Sequence, residues 1–557
     1  MCYNKKRIKA VDGGLRMVSG DIKKINLSIS SFQQMIEGGY LYVDKTRFIE
    51  NFLNTASSVQ LVARQRRLGK SLNLDMLRCF LTDSEDYRYL FKGLYIENSS
   101  VWDKANTAPV LYFDFKNLTI GNYKRVIYNA VCDYFDNYCA DMTLPRDARY
   151  YLKSNDVNET NGLFYLTEAM YKKTGKRPYL LIDEYDNLLM SHYNTEYYME
   201  IRDFEKKLFE AALKGNRYVE KAFLTGVMRI SHESILSGLN NLVTFDVFDD
   251  EIYTEDYGLT DSEVEALSKL SNFDTDEARA WYNGIRINSH AVYNVFSIMS
   301  FLSHKKKYQC YWGKSGIMGT ITGLLNDARK YELAKMMAGE KVEVPVETRI
   351  SLEALSSEEG DEAFYSYLVQ AGYLSIEENN TLNNRAVLAI PNKELMIVWK
   401  NFILTNLYKN SKTVRTLFDH AHDAALFASD VEYFLNDRLS YYDLSVLKRE
   451  DARKVYERTY HTFMLGILSA YADVQHRPVS NRESGDGRFD ILVQRSKANY
   501  IFEFKACVED DDLIKFAHEA LEQINAKRYG ADLADGKPLV KIGVAIHGKQ
   551  CKVICRF

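Results

Sequence analysis

The chain has 557 residues, of which 46% are hydrophobic, 27% charged and 13% aromatic, with 40 Tyr and 28 Phe. This composition excludes a disordered, collagen-like or low-complexity protein, and at about 150 residues per domain it predicts roughly three to four domains. With 72 Lys and Arg against 76 Asp and Glu the net charge is -4, so overall charge advertises neither nucleic acid nor membrane.

Only 7 prolines argue against Pro-rich linkers, so the domains are expected to abut and to be helical or α/β. The 8 cysteines are scattered without a CxxC pair, and Cys551 and Cys555 stand as CxxxC with no His in metal spacing. They read as reduced thiols of a cytoplasmic protein rather than as disulfides or a zinc site. The basic segment 1–23 has no apolar core of the kind a signal peptide needs, and no long uncharged apolar run suggests a membrane span.

After this N-terminal tail, residues 24–254 alternate strand and helix patterns. The apolar run Val59–Ala63 predicts a buried strand, followed by a basic loop and a helix over 70–81. A strand over 109–115 and helices near 121–140 and 160–174 come next, then a strand at 179–183, a helix at 195–214 and a strand at 222–227. Strands separated by helices predict βαβ units and a parallel sheet with helices on both faces. Residues 255–424 read as a mostly helical, lid-like region. From 425 to 557 a helical stretch (431–472), a Gly-rich turn, two short strands, a helix (511–528) and a strand (540–546) predict a second, smaller α/β domain.

Arg64-Gln65-Arg66-Arg67-Leu68-Gly69-Lys70-Ser71 lies between the first buried strand and its helix. Gly69, Lys70 and Ser71 match the end of a phosphate-binding loop, in which backbone N–H groups at a helix start attract phosphate, Lys reaches the β- and γ-phosphates and Ser ligates Mg²⁺. Arg64 stands where that loop has its first glycine, and the three arginines are candidates for extra phosphate contacts. Taken alone, the segment also reads as a solvated basic loop. The apolar strand Tyr179–Ile182 ends in Asp183 and Glu184. In a P-loop ATPase the Asp of such a strand sits near the Mg²⁺ shell and the next Glu polarises the attacking water. One more strand (109–115) lies between these motifs, and another, ending in Thr225, follows them. This is the strand set of ATPases that carry an extra strand between the nucleotide strand and the acidic one. Thr225 falls where a polar γ-phosphate sensor sits; Arg229 is either a phosphate-sensing cation or a surface Arg.

The second constellation lies at Asp490, Glu503 and Lys505. If 495–498 form a turn, residues 494 and 499 face one another, and the same register puts Asp490 opposite Glu503 on antiparallel strands. Lys505 shares the face of Glu503. Two carboxylates beside a lysine can hold Mg²⁺ and activate water against a phosphodiester, whereas a hairpin of surface ion pairs is the plainer alternative. Glu457 and His461 share a helix face, where Glu457 is either a further metal ligand or a solvated charge. Gln523 and Lys527 lie on the following helix. Residues 421–557 hold 20 Lys or Arg against 21 Asp or Glu, which counts against a strongly basic duplex-binding face.

In combination these motifs resemble a known family. Tyr42-Val43-Asp44-Lys45-Thr46, the Arg64–Leu72 loop, Ile182-Asp183-Glu184-Tyr185-Asp186 and Leu224-Thr225-Gly226 resemble the bacterial AAA-ATPase-like proteins. The usual loop there reads Arg-Pro-Arg-Arg-Phe-Gly-Lys-Ser, so Gln65 and Leu68 are departures while the missing first glycine is not. Gly487-Arg488-Phe489-Asp490, Glu503-Phe504-Lys505 and Gln523 with Tyr529 resemble the PD-(D/E)XK nuclease-superfamily domain that accompanies them. Ser237–Asn241, Trp281–Gly284 and Val292–Asn294 resemble the intervening segments. The resemblance covers about residues 24–300 and 430–546. It implies ATP and Mg²⁺ as cofactors, and an ATPase whose nucleotide state controls a metal-dependent nuclease. Nucleic acid, DNA or RNA, is the expected partner, with no membrane and with assembly into a homo-oligomer left open. The competing expectation is a nucleotide-dependent switch or scaffold whose C-terminal domain binds a partner without cutting it.

Overall fold

The computed structural model describes residues 9–11, 15–18, 24–230, 235–236, 238–288, 290–312, 321, 323–350, 352–355, 357, 360–380, 383–402, 417–418, 420–438, 452–471, 478–507, 512–547 and 550–557. Most of the N-terminal tail, Ser237, and residues 439–451 and 472 of the expected C-terminal helical stretch lie outside the described residues. The chain divides into two compact units. One comprises residues through Trp312 together with Val344–Ala386 and Pro391–Glu394; the other comprises Gly313–Glu343, Val387–Ile390 and Leu395–Phe557. The region expected as a separate lid, 255–424, is thus shared between them.

In the first unit, β1 (Val59–Ala63) leads through the basic loop into α1 (Lys70–Leu81). β2 (Val110–Asp114) is followed by α2 (Tyr123–Cys139) and α3 (Gly162–Thr174). Then come β3 (Tyr179–Asp183), α4 (Tyr198–Leu213), β4 (Ala222–Gly226) and β5 (Leu242–Phe245). They form one five-stranded sheet in the order β2-β3-β4-β1-β5, and every adjacent pair is parallel. All five residues of each of β1, β3 and β4 are buried, as in strands covered on both faces. The strand that separates the nucleotide strand from the acidic strand in space is β4. Its neighbours are set by register: Ala63 pairs with Gly226, and Ile182 with Leu224. Sequence reasoning missed β5, a four-residue edge strand with only one buried position.

Beyond the sheet, α5 (Asp261–Ser271) starts at a capping box. Thr260 accepts the Glu263 N–H, and Glu263 reaches back to the Thr260 N–H. α6 (Thr275–Tyr282), α7 (Val295–Ser303) and α8 (Asp361–Gln370) follow, with a short antiparallel pair at 285–287 and 290–292. The Tyr42–Thr46 motif is structural. Lys45 pairs with Glu263 at 2.7 Å, and Asp44 accepts the Thr46 and Tyr95 N–H groups.

In the second unit, α9 (Ala424–Arg438) and α10 (Ala452–Tyr471) precede β6 (Ile491–Gln494), β7 (Asn499–Ala506), α11 (Leu513–Ala526), β8 (Leu539–His547) and β9 (Gln550–Arg556). The strand Val479–Ser480 completes a sheet in the order 479–480, β6, β7, β8, β9, in which only β7 and β8 run parallel. β9, the last strand, was not expected. Its core joins Phe427, Leu465, Ile491, Phe502, Ile542 and Val553. Among the described residues no helix is long and apolar enough to cross a membrane.

Gly543 shows how closely this unit is packed. It pairs with Glu503, and a Cβ there would lie 2.2 Å from Ala517 O and 2.7 Å from Leu521 N, both in the backbone of α11. Gly543→Ala should therefore push α11 outward and destabilise the protein by about 1–3 kcal/mol in denaturant unfolding. Gly121→Ala, where a Cβ meets nothing within 4 Å, should stay within about 0.5 kcal/mol of wild type.

Candidate nucleotide and nuclease sites

Parallel pairing brings the carboxyl ends of β1, β3 and β4 to one edge of the sheet. The loop after β1 is tied down at both ends. The Arg64 N–H donates to Gly226 O (3.0 Å), and the Gly258 N–H donates to Leu68 O (3.1 Å). The backbone turns left-handed at Arg67 (φ 67) and at Gly69 (φ 95), but not at Arg64. A side chain at the first position thus carries no backbone penalty, which is why an arginine can stand where other phosphate loops use glycine.

Lys70 opens α1 and is nearly buried. Its Nζ donates to Arg64 O (3.1 Å) and Gln65 O (3.3 Å) and lies 3.8 Å from Glu184 Oε1. Asp183, at the end of β3, is buried. Burial pushes its carboxyl up to about 6 and the charge of Glu184 adds to this, while a hydrogen bond from Ser71 opposes it. Glu184 leaves the strand with φ 53 and donates its N–H to Asp183 Oδ1 (3.0 Å). Gly69, Lys70, Ser71, Asp183 and Glu184 are therefore brought together.

Three expected phosphate contacts have protein partners in this structure. Arg64 is fully buried in an ion pair with Asp250 and donates to Ala63 O (2.8 Å) and Phe245 O (3.3 Å), so it is withdrawn from phosphate contact. Thr225 is fully buried and donates its hydroxyl to Val62 O (3.1 Å) in the adjacent strand, which commits its proton inside the sheet. Arg229 is neither a surface residue nor a free cation, because its guanidinium pairs with buried Asp246 at 2.7 Å. Of the loop arginines, Arg67 lies over the Phe296 ring at 4.0 Å. Arg66 is half-buried and makes no ion pair or side-chain hydrogen bond among the described residues.

Sequence reasoning missed Asp246 and Asp250. Asp246 Oδ1 also accepts the Phe248 and Asp249 N–H groups, and Asp250 Oδ1 those of Ile252 and Tyr253. The available signal was the interleaving of carboxylates with Phe245, Val247, Phe248 and Tyr253, which brings charge beside buried apolar positions where it is costly unpaired. Gln370 of α8 was missed as well; its Oε1 accepts the Arg229 N–H (2.7 Å).

In the second unit, β6 and β7 pair Gln494 with Asn499 and Ile491 with Phe502, the register expected from the turn. Extended by one residue, it sets Asp490 against Glu503. Asp490 accepts the Phe504 N–H (2.7 Å), and its carbonyl accepts the His461 Nε2–H (3.0 Å) and the Asn481 N–H (3.1 Å). Burial pushes Asp490 up to about 6 and Glu503 up to about 9, the latter also raised by Asp490 and lowered by nearby Lys505. His461 is buried and drops to about 4, so it is neutral. Gln523 Nε2 donates to Glu503 Oε1. The other oxygen, Glu503 Oε2, is buried without a hydrogen-bond partner.

This donor set fits a divalent cation, since two like-charged, desolvated carboxylates include an oxygen that lacks any partner. Glu457 lies close enough for its charge to raise Asp490, and its Oε1 accepts the Ala506 N–H (2.9 Å); among the described residues no three acidic, His or Cys side chains form a metal-holding group.

Residues 26–236 match the AAA-ATPase-like family, described as a predicted AAA-ATPase, and residues 455–556 match the PD-(D/E)XK nuclease superfamily. The chain carries an AAA-ATPase-like domain and a PD-(D/E)XK nuclease-superfamily domain. A protein of Azotobacter chroococcum mcd 1, described as an uncharacterized protein in the vnfD 5' region, is 28% identical over 540 residues, which cover 94% of this chain and 96% of that one. The structure of the Aeropyrum pernix ORC1 protein in complex with DNA aligns with 65% of this chain and 92% of that chain at 10% identity. Its TM-score of 0.23 is too low to bear on the fold.

The raised Glu503 carboxyl makes a stability prediction. A folded-state value of about 9 against an ordinary 4.5 means that the folded protein holds this proton more tightly, so the stability it contributes is lost as pH rises toward 9. In EDTA, the protein should lose stability progressively as pH rises from about 5 to 9, by at most about 1.4 kcal/mol per pH unit. Glu503→Gln should flatten that dependence in urea unfolding followed at each pH; an unchanged slope would contradict the assignment.

Proposed function

We propose that this protein binds and hydrolyses ATP, and that its nucleotide state controls a Mg²⁺-dependent nuclease acting on nucleic-acid phosphodiesters. The observation that carries the reading is Glu503 beside Asp490, a buried and a half-buried carboxylate with an unpartnered oxygen between a lysine strand and a supporting glutamine. Such an arrangement is costly to a purely structural hairpin and useful to a cation site. Asp490 and Glu503 would hold Mg²⁺ there. Bound, the ion would supply Lewis acidity and charge neutralisation at a phosphodiester. Lys505, on the same strand face as Glu503, stabilises negative charge that develops on the phosphate. His461 and Asn481 hold the Asp490 backbone so that its carboxylate keeps one orientation.

At the nucleotide loop, Lys70 exchanges its carbonyl partners for the β- and γ-phosphates of ATP, and Ser71 with Asp183 would hold the accompanying Mg²⁺. Glu184, 3.8 Å from Lys70, orients the attacking water. The described cysteines are all free of disulfides, which supports a cytoplasmic setting. One observation favours a second reading, a nucleotide-dependent switch whose C-terminal domain binds without cutting: among the described residues no three acidic, His or Cys side chains form a metal-holding group.

A cleavage panel on single- and double-stranded DNA and RNA, with Mg²⁺ or Mn²⁺ and with or without ATP, decides between them. Lys70→Ala should abolish ATP binding, whereas Glu184→Gln should bind ATP and lose turnover by about 100-fold or more. Asp490→Ala, Glu503→Ala and Lys505→Ala should each abolish cleavage and leave ATP hydrolysis near wild type. Wild-type protein that hydrolyses ATP yet cuts none of the four substrates would establish the switch.

A further inference from the structure

We infer that Asp250, acting through Arg64, positions the nucleotide loop, and that this buried ion pair replaces the backbone freedom of a first glycine. The inference rests on the ATP-binding reading and names residues that reading does not use. The guanidinium of Arg64 is fully buried, and its two terminal nitrogens join three groups: Asp250 Oδ2, the carbonyl of Ala63 at the end of β1, and the carbonyl of Phe245 at the end of β5. The Tyr257 ring covers it at 5.3 Å. A single side chain thus fixes the first loop residue against two neighbouring strand ends.

The consequence reaches Lys70. The carbonyls that accept its ammonium belong to Arg64 and Gln65, so the anchored residue is also one of those that place the phosphate-reaching cation. The same connection from β5 to α5 grips the rest of the loop. Gly258 donates to Leu68 O, and Asp256 O accepts from Asn73 Nδ2 (2.9 Å) on α1. Asp250 is itself fixed by the Ile252 and Tyr253 N–H groups at 2.7 and 2.8 Å. Residues 250–258 therefore act as a strap that holds the loop at its start, its end and its helix. Arg64 and Asp250 touch no phosphate; they are positioning residues.

A loop that binds phosphate through backbone amides and Lys70 grips substrate and transition state alike. Loosening it should raise KM and leave turnover at saturation almost unchanged. The test uses the full-length protein with MgATP and measures KM, kcat and thermal unfolding for Asp250→Asn, for Arg64→Gln/Asp250→Asn, in which both charges are removed together, and for Lys70→Ala as a control. Asp250→Asn is expected to raise KM about tenfold or more with kcat within about threefold, and the double variant should be no worse than the single one because the two residues act as a unit. The double variant is decisive if Asp250→Asn fails to fold, since it leaves no unpaired buried charge. A cooperatively folded double variant with wild-type KM would overturn the inference and leave the ATP-binding reading intact, as would a fall in kcat at unchanged KM. Wild-type protein that neither binds nor hydrolyses ATP would overturn both.

Discussion

Ala63, Asp183 and Gly226 end three neighbouring strands, and the parallel pairing of those strands is the constraint on which the nucleotide site depends. In a parallel sheet every strand presents its carboxyl end to the same edge, so motifs more than a hundred residues apart in sequence arrive side by side. The β2-β3-β4-β1-β5 order inserts β4 between the loop strand and the acidic strand. This intervening strand leaves Lys70 and Glu184 at 3.8 Å, close enough to interact. It also requires closeness at its own end: a Cβ on Gly226 would fall 2.3 Å from Asp186 Oδ1, so glycine is needed there to let the segment after β3 approach.

Most of this was legible because the signals are local. Five fully buried residues in β1, β3 and β4 make continuous apolar runs, and Gly69-Lys70-Ser71 marks a helix start. The hairpin register was legible for a different reason. Pairing across a turn is arithmetic once the turn is known, and 495–498 has the polar residues a turn needs, so Asp490 and Glu503 could be set opposite one another from the sequence. What escaped was whatever depended on a third partner. Thr225 and Arg229 hold the expected positions along β4 and beyond it, but a hydroxyl facing Val62 O and a guanidinium facing Asp246 are properties of neighbouring strands that no window around residue 225 reveals. Glu457 shows the same limit: a helix position says which face a carboxylate shares, not that its Oε1 will accept the Ala506 amide. The short edge strand β5 was missed because it has only one buried residue, and with it went the segment that carries Asp246 and Asp250.

The Arg64–Asp250 pair shows how an apparent defect in a motif becomes intelligible. A glycine at the head of a phosphate loop serves where the chain must turn left-handed, yet here the left-handed residues are Arg67 and Gly69. The first position is then open to any side chain that can be buried, and a buried guanidinium needs a carboxylate and carbonyls around it. All are present, and although burial lowers the Arg64 guanidinium to about 10, it stays charged at neutral pH. A hydrophobic residue could fill the same space, but it could not tie Ala63, Phe245 and Asp250 together at fixed angles.

The two candidate sites solve opposite electrostatic problems. At the nucleotide loop the cation is already accommodated, because Lys70 sits among two carbonyls and a carboxylate. An incoming phosphate must therefore offer more than those partners, and ligand affinity there is a difference between two sets of contacts. At Asp490 and Glu503 the negative charge is offset only in part, by Lys505, the amide of Gln523 and the Phe504 N–H, and both carboxyls are pushed above their ordinary range. The first site is stable while it waits and must be competed for. The second carries a standing cost that a bound cation would remove, so the folding energy it forgoes without the ion is the affinity it gains with it. Buried charge is expensive in both places, and at the carboxylate pair Glu503 Oε2 lies buried with no partner of its own, a cost that a bound cation would relieve.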